Sequence, residues 1–136
     1  MMAAAGEIVS AFIALWEEPD GFPRAVERYF TEATVWENHG LLTTTGKADA
    51  IGFYQQFGAA TGMKGMKIAM LALAETHDAL TGDKVLTERI DYILDGAGQT
   101  VMTVPVMGIF EIADGRITAW RDYFDTIANA PSPAAR

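Results

Sequence analysis

The sequence predicts an α+β fold in which helices pack on one face of a curved, mostly antiparallel sheet. Three observations carry this. The first half of the chain repeats apolar residues at helical spacing, the second half alternates them as strands do, and Asp-Gly turn signals cut that second half into hairpins. A chain of 136 residues suits one core, expected here as a single domain over 1–127 with a loose Ala- and Pro-rich tail over 128–136.

Ile8, Phe12, Leu15 and Trp16 recur at helical spacing until Pro19, Asp20 and Gly21 stop the pattern, which predicts a first amphipathic helix. Pro23 suits a first helical turn, and Val26, Tyr29 and Phe30 form the stripe of a short second helix. The β-branched and aromatic run Thr34 to Asn38 predicts a strand with Trp36 and Asn38 on one face and Glu37 on the other. A Thr-rich loop is expected from Gly40 to Gly46, and Ala50, Phe53, Tyr54 and Phe57 then mark a helix placed as a lid or wall. Four strands follow, over Met66 to Glu75, Lys84 to Leu94, Thr100 to Ile112 and Ile117 to Phe124. The turns Asp95-Gly96-Ala97-Gly98 and Asp114-Gly115 make the last three a meander.

Charge and composition exclude several classes of function. A formal net charge of −8 repels phosphate-rich partners, so neither nucleic acid nor an anionic membrane is expected. Cysteine is absent, which removes disulfides, thiolate nucleophiles and thiolate metal sites. The N-terminal stretch lacks a basic region and carries Glu7, so it reads poorly as a signal peptide, and no apolar run approaches the roughly 20 residues of a membrane span. The expectation is a cytoplasmic protein.

The chemistry concentrates on two strands. In KVLTERIDYIL the period of two places Val85, Thr87, Arg89, Asp91 and Ile93 on one face. In the last strand Thr118, Trp120, Asp122 and Phe124 share a face, and a carboxylate framed by two rings that favour burial needs a partner, for which Arg89 is available. Pairing Ala113 with Ile117 across a bulged loop sets Asp122 opposite Gly108 and Phe124 opposite Val106. Pairing Leu94 with Gln99 sets Arg89 opposite Val104 and Asp91 opposite Met102. Arg89, Asp91 and Asp122 then converge on a face lined by Val104, Val106, Trp120 and Phe124, with Ile93 beside them. Two carboxyls flanking one guanidinium in an apolar pocket separate their pKa values, which supplies an acid and a base. Apolar sequence neighbours favour Asp122 as the proton donor and leave Asp91 as the base, with Arg89 bridging and Asn38 able to hold a water. A buried ion-pair network without catalytic consequence is the alternative on these residues alone.

The segments VWENHG, TERID and WRDYFD, in this order and at these separations, resemble the limonene-1,2-epoxide hydrolase family within the NTF2-like, SnoaL-like group of cone-shaped folds. The resemblance runs from about Phe30 to Thr126. It implies one-step opening of a small hydrophobic epoxide by water, with no metal or cofactor, in a homodimer. Carried over position by position, the expectation is Asp91 as base, Arg89 as bridge, Asp122 as acid and Asn38 on the water, with Trp120 and Phe124 in the pocket, which Trp36 is also expected to line. The sequence departs from the family where the water-binding tyrosine is expected, since Trp36 stands there, and an indole donates one hydrogen bond and accepts none. An NTF2-like isomerase or polyketide cyclase, and a module that binds a small ligand without chemistry, are the competing readings. His39 and His77 lack the spacing of a metal pair, Glu37 and Glu88 alternate away from the pocket face, and the methionines are expected as core filler.

Overall fold

A computed structural model describes residues 3–127, so the expected tail lies outside the described residues. Three helices and six strands follow in the order α1 (Ala5–Leu15), α2 (Gly21–Tyr29), β1 (Phe30–Asn38), β2 (Leu42–Thr45), α3 (Lys47–Thr61), β3 (Gly65–Asp78), β4 (Gly82–Leu94), β5 (Thr100–Ala113) and β6 (Arg116–Tyr123). The strands form one curved, unclosed mixed sheet in the order β2-β1-β6-β5-β4-β3, as expected for the cone. Only β1 and β6 run parallel, since the chain reaches β6 last and inserts it between β1 and β5.

Each element forms where its apolar period demands. Helix α1 buries Ile8, Val9, Phe12 and Ile13, and α2, with Pro23 in its first turn, buries Phe22, Ala25 and Val26. Phe30, expected on the second helix, instead opens β1 with extended backbone and is fully buried. The Gly40 to Gly46 segment is likewise not all loop. Its Thr run forms β2, pairing Thr44 with Trp36 and Leu42 with Asn38, a strand for which the β-branched composition is the legible signal.

The β5–β6 hairpin reaches its predicted register by an unpredicted route. Asp114 and Gly115 both take positive φ, 53° and 75°, and close a tight two-residue turn that pairs Ala113 with Arg116. An irregularity between Glu111 and Ile112 then shifts the ladder by one residue, so Gly108 still faces Asp122. The strand ends at Tyr123, however, and Phe124 forms no pair with Val106. Between β4 and β5 the expected register is off by two. Arg89 faces Val106, Asp91 faces Val104, and Thr87 faces Gly108, because a shift next to Leu94 adds to the longer loop. A slip of two leaves every side chain on its predicted face, whereas a slip of one would have reversed them all.

The helices cover the concave face. Phe12 of α1 meets Phe110 edge-on at 6.2 Å and Trp120 at 5.5 Å, tying helix to sheet, and Trp120 stacks on Trp36 with centroids 4.5 Å apart and planes 7° from parallel. No helix among the described residues is long and apolar enough to cross a membrane.

Candidate active site

Strand β4 carries the centre of the site because its buried positions alternate over Val85, Thr87, Arg89, Asp91 and Ile93. Arg89 is 1 % exposed and uses its whole fork. Nε donates to Asp91 Oδ1 at 2.9 Å, Nη2 donates to Asp91 Oδ2 at 3.1 Å and to Asp122 Oδ2 at 2.6 Å, and Nη1 donates to Thr87 Oγ1 at 3.2 Å. The guanidinium also lies over the Trp16 ring, 5.3 Å from its centroid. The three predicted residues are thus joined in one buried network.

Gly108 makes the junction possible. A Cβ at this position would stand 2.5 Å from Asp122 Oδ1, 2.6 Å from Arg89 Nη1 and 3.0 Å from Thr87 Oγ1. The middle strand therefore passes between the two aspartate-bearing strands without filling the space where their side chains meet.

Burial pushes the Asp91 carboxyl up, Arg89 opposes this, and the nearby Asp122 adds to the rise. For Arg89, burial alone would lower the pKa, but Asp122 and then Asp91 outweigh it and hold the guanidinium charged. Asp122 accepts from two side chains, since Trp120 Nε1 donates to its Oδ1 at 2.7 Å while Arg89 takes Oδ2. Apolar sequence neighbours are therefore a poor guide to the polarity around Asp122. Trp120 reads as a ring in the sequence, yet in the fold it presents its N–H.

Asn38 sits in parallel register with Asp122, and Trp36 with Trp120. Asn38 Nδ2 and Trp36 Nε1 are buried donors with no partner among the described residues. In front of them opens a cavity of about 120 Å³ with a mostly aromatic and aliphatic wall. Trp36, Ile93, Val104, Val106, Trp120 and Phe124 all line it, as do Asn38, Asp91 and Asp122, so every predicted side chain reaches the cavity except Arg89, which lies behind it. Helix α3 supplies the facing wall through Phe53, Tyr54 and Phe57. Tyr54 stacks on Phe22 at 4.6 Å, and its phenol is pushed up by burial and by Asp20.

Sequence reasoning did not assign Thr87, which seats Arg89, or the donor role of Trp120. Thr87 was legible only as a small polar residue alternating on the buried face. The histidines stay outside, His39 bonded to Glu37 at 2.8 Å and His77 to Asp83 at 2.9 Å, and no group of three or more His, Asp or Glu among the described residues is placed to hold a metal ion.

The sequence model of the limonene-1,2-epoxide hydrolase catalytic domain matches residues 3–129. Epoxide hydrolase EphG of Mycobacterium tuberculosis (strain ATCC 25618 / H37Rv) is 52% identical over 44 residues, a stretch that is 32% of this chain and only 28% of that protein's length. A solved M. tuberculosis LEH-like epoxide hydrolase superposes with a TM-score of 0.68 at 30% identity, covering 90% of this chain and 84% of that one. A hypothetical protein with a ketosteroid isomerase-like fold from Catenulispora acidiphila DSM 44928 gives a TM-score of 0.72 at 20% identity over 98% of each chain, a likeness of fold alone. With residues 3–129 of its 136 matched by that domain's model, this chain belongs to the limonene-1,2-epoxide hydrolase family.

Proposed function

We propose that the protein is an epoxide hydrolase that adds water to a hydrophobic epoxide in one step, giving a vicinal diol, with no metal or cofactor. The observation that carries this reading is the buried Asp91–Arg89–Asp122 network at the wall of an apolar cavity, in a chain of this family.

The roles we assign to the two carboxyls are the reverse of those expected from sequence neighbours. Asp91 is the acid, because burial holds its proton to higher pH. Asp122 is the base, because it lies beside Asn38 and accepts hydrogen bonds from both Trp120 and Arg89, and such donation favours the carboxylate. Water donates one hydrogen to Asp122 and the other to the Asn38 amide oxygen, while Trp36 Nε1, which can only donate, takes one lone pair of the water oxygen. The remaining lone pair attacks an epoxide carbon. As the C–O bond breaks, the ring oxygen takes the Asp91 proton and Asp122 takes a proton from water, so charge is conserved between the two carboxyls. Arg89 remains cationic throughout and holds both in register. The aromatic wall selects an apolar substrate and offers no charge for an anionic one.

Turnover in ¹⁸O-labelled water with a panel of cyclic and aryl epoxides tests the reading. Labelled diol from the parent, absent with Asp91→Asn and with Asp122→Asn, is the expected result, and an inert parent across the panel overturns it. In kcat/KM against pH, the acid limb should vanish with Asp122→Asn and the alkaline limb with Asp91→Asn in whatever activity remains; the opposite pattern restores the other assignment.

A homodimer is part of the same proposal. On the outer face of the sheet Leu71, Val101, Met107 and Tyr123 are exposed, an apolar surface suited to a second copy of the chain. Light scattering should give a dimer for the parent and a monomer for Met107→Lys.

A further inference from the structure

We propose that Trp120 is a positioning residue for the base: its indole N–H grips Asp122 Oδ1 and so decides which edge of that carboxylate meets the water. The inference rests on reading Asp122 as the base. Its own support is geometric, beginning with the 2.7 Å bond from Nε1 to Oδ1, made between residues two apart on one strand face.

The donor is unusually well held. Trp36 stacks on Trp120 at 4.5 Å, Phe110 stacks at 5.3 Å and 16°, Trp16 stacks at 5.3 Å and 28°, and Phe12 meets it edge-on at 5.5 Å. Trp120 is 2 % exposed, so turning the indole would displace several rings. Arg89 alone cannot orient Asp122, because its Nη2 reaches only Oδ2 and leaves the carboxylate free to rotate about that contact. Two fixed donors on two different oxygens define the plane. From β5 nothing but Gly108 faces this carboxylate, so no other side chain of that strand competes for Oδ1.

A second effect follows from the same bond. An N–H donated to a carboxylate stabilises its charged form, and deleting the donor removes that stabilisation. The other ionisable groups that face Asp122 are Arg89 and Asp91 of β4, with Tyr54 of α3 in the wall of the same cavity. Trp120→Phe leaves all three in place and deletes only the donor and part of the ring.

Two readouts test this, one of which needs no turnover. In protein labelled with ¹³C at the aspartate carboxyls, with the Asp122 signal assigned by its loss in Asp122→Asn, the titration midpoint should rise by about one pH unit in Trp120→Phe. It should stay unmoved in Phe110→Leu, which loosens the aromatic packing but keeps the N–H. With an epoxide substrate, Trp120→Phe should lower kcat about tenfold, move the acid limb of the pH profile up by the same unit, and change KM by less than about twofold. An unmoved midpoint in Trp120→Phe, or an equal rise in Phe110→Leu, overturns the inference. Should the midpoint move in a parent that turns over no epoxide, the positioning role stands and the hydrolase reading fails. Circular dichroism of both variants shows whether the fold has survived, and if Trp120→Phe does not fold, benzothienylalanine at position 120, which replaces N–H by S at nearly the same shape, carries the same test.

Discussion

Two rows of side chains cross the inner face of the sheet next to one another, and they do opposite work. One runs Trp36, Trp120, Phe110 and Val85 over β1, β6, β5 and β4, and the other, two residues further along each strand in the chain direction or against it, runs Asn38, Asp122, Gly108 and Thr87. The first row is rings and a branched aliphatic buried in the main core with α1 and α2, although Trp36 and Trp120 each also turn one side to the cavity. The second is small or polar, and Arg89 and Asp91 join it from β4. The backbone is alike in both rows. What separates the aromatic row from the polar one is therefore side-chain chemistry at a spacing of two, and the two are joined through Trp120, which belongs to the first and bonds to the second.

If the division holds, changes in one row should cost activity and changes in the other should cost stability. Asp91→Asn should produce the largest loss, about 10² to 10⁴ in kcat/KM, with a melting temperature close to the parent's. A collapse of the fold instead would mean that the polar row is structural. Phe110→Ala, in the packed row, should cost about 3 to 5 kcal/mol in denaturant unfolding while the folded fraction still opens epoxide. Gly108→Ala probes the line where the rows meet. Its methyl must push apart Asp122, Arg89 and Thr87, so activity should fall about tenfold or more, with a loss of roughly 1 to 3 kcal/mol from overpacking.

The smallest expected effect is on the pH dependence of stability. The Asp91 carboxyl is raised in the folded state, so folding takes up a proton there, and the contribution is complete below the unfolded pKa and lost as pH rises through the raised value. Thermal unfolding of parent and Asp91→Asn should accordingly diverge with rising pH, the variant holding its stability better. Parallel curves would remove Asp91 as the protonated partner.

Much of this site is readable from alternation. A period of two is enough to put Thr87, Arg89, Asp91 and Ile93 on one face of β4 and Trp120 with Asp122 on one face of β6, and the sheet face they share survives a register error of two between β4 and β5 because parity is preserved. Gly108 opposite Asp122 is predicted for the right pair through the wrong turn, since the tight Asp114-Gly115 hairpin and the irregularity above it compensate. Phe30 and the Thr run of β2 are misread because their neighbours supply competing helix and loop signals, and local propensity is weaker than the pairing that recruits them, Phe30 to Ile117 of β6 and the Thr run to β1.

Sequence alone thus establishes the α+β class, the single core and the identity of the residues that meet, because hydrophobic period and turn chemistry are local. What surrounds each carboxyl is decided only in three dimensions. Desolvation and hydrogen bonding depend on which atom of a neighbour points at the group, and the N–H of Trp120 at Asp122, the fork of Arg89 at both aspartates and the insertion of β6 beside β1 all arise from contacts far apart in the chain or from side-chain directions that spacing does not encode.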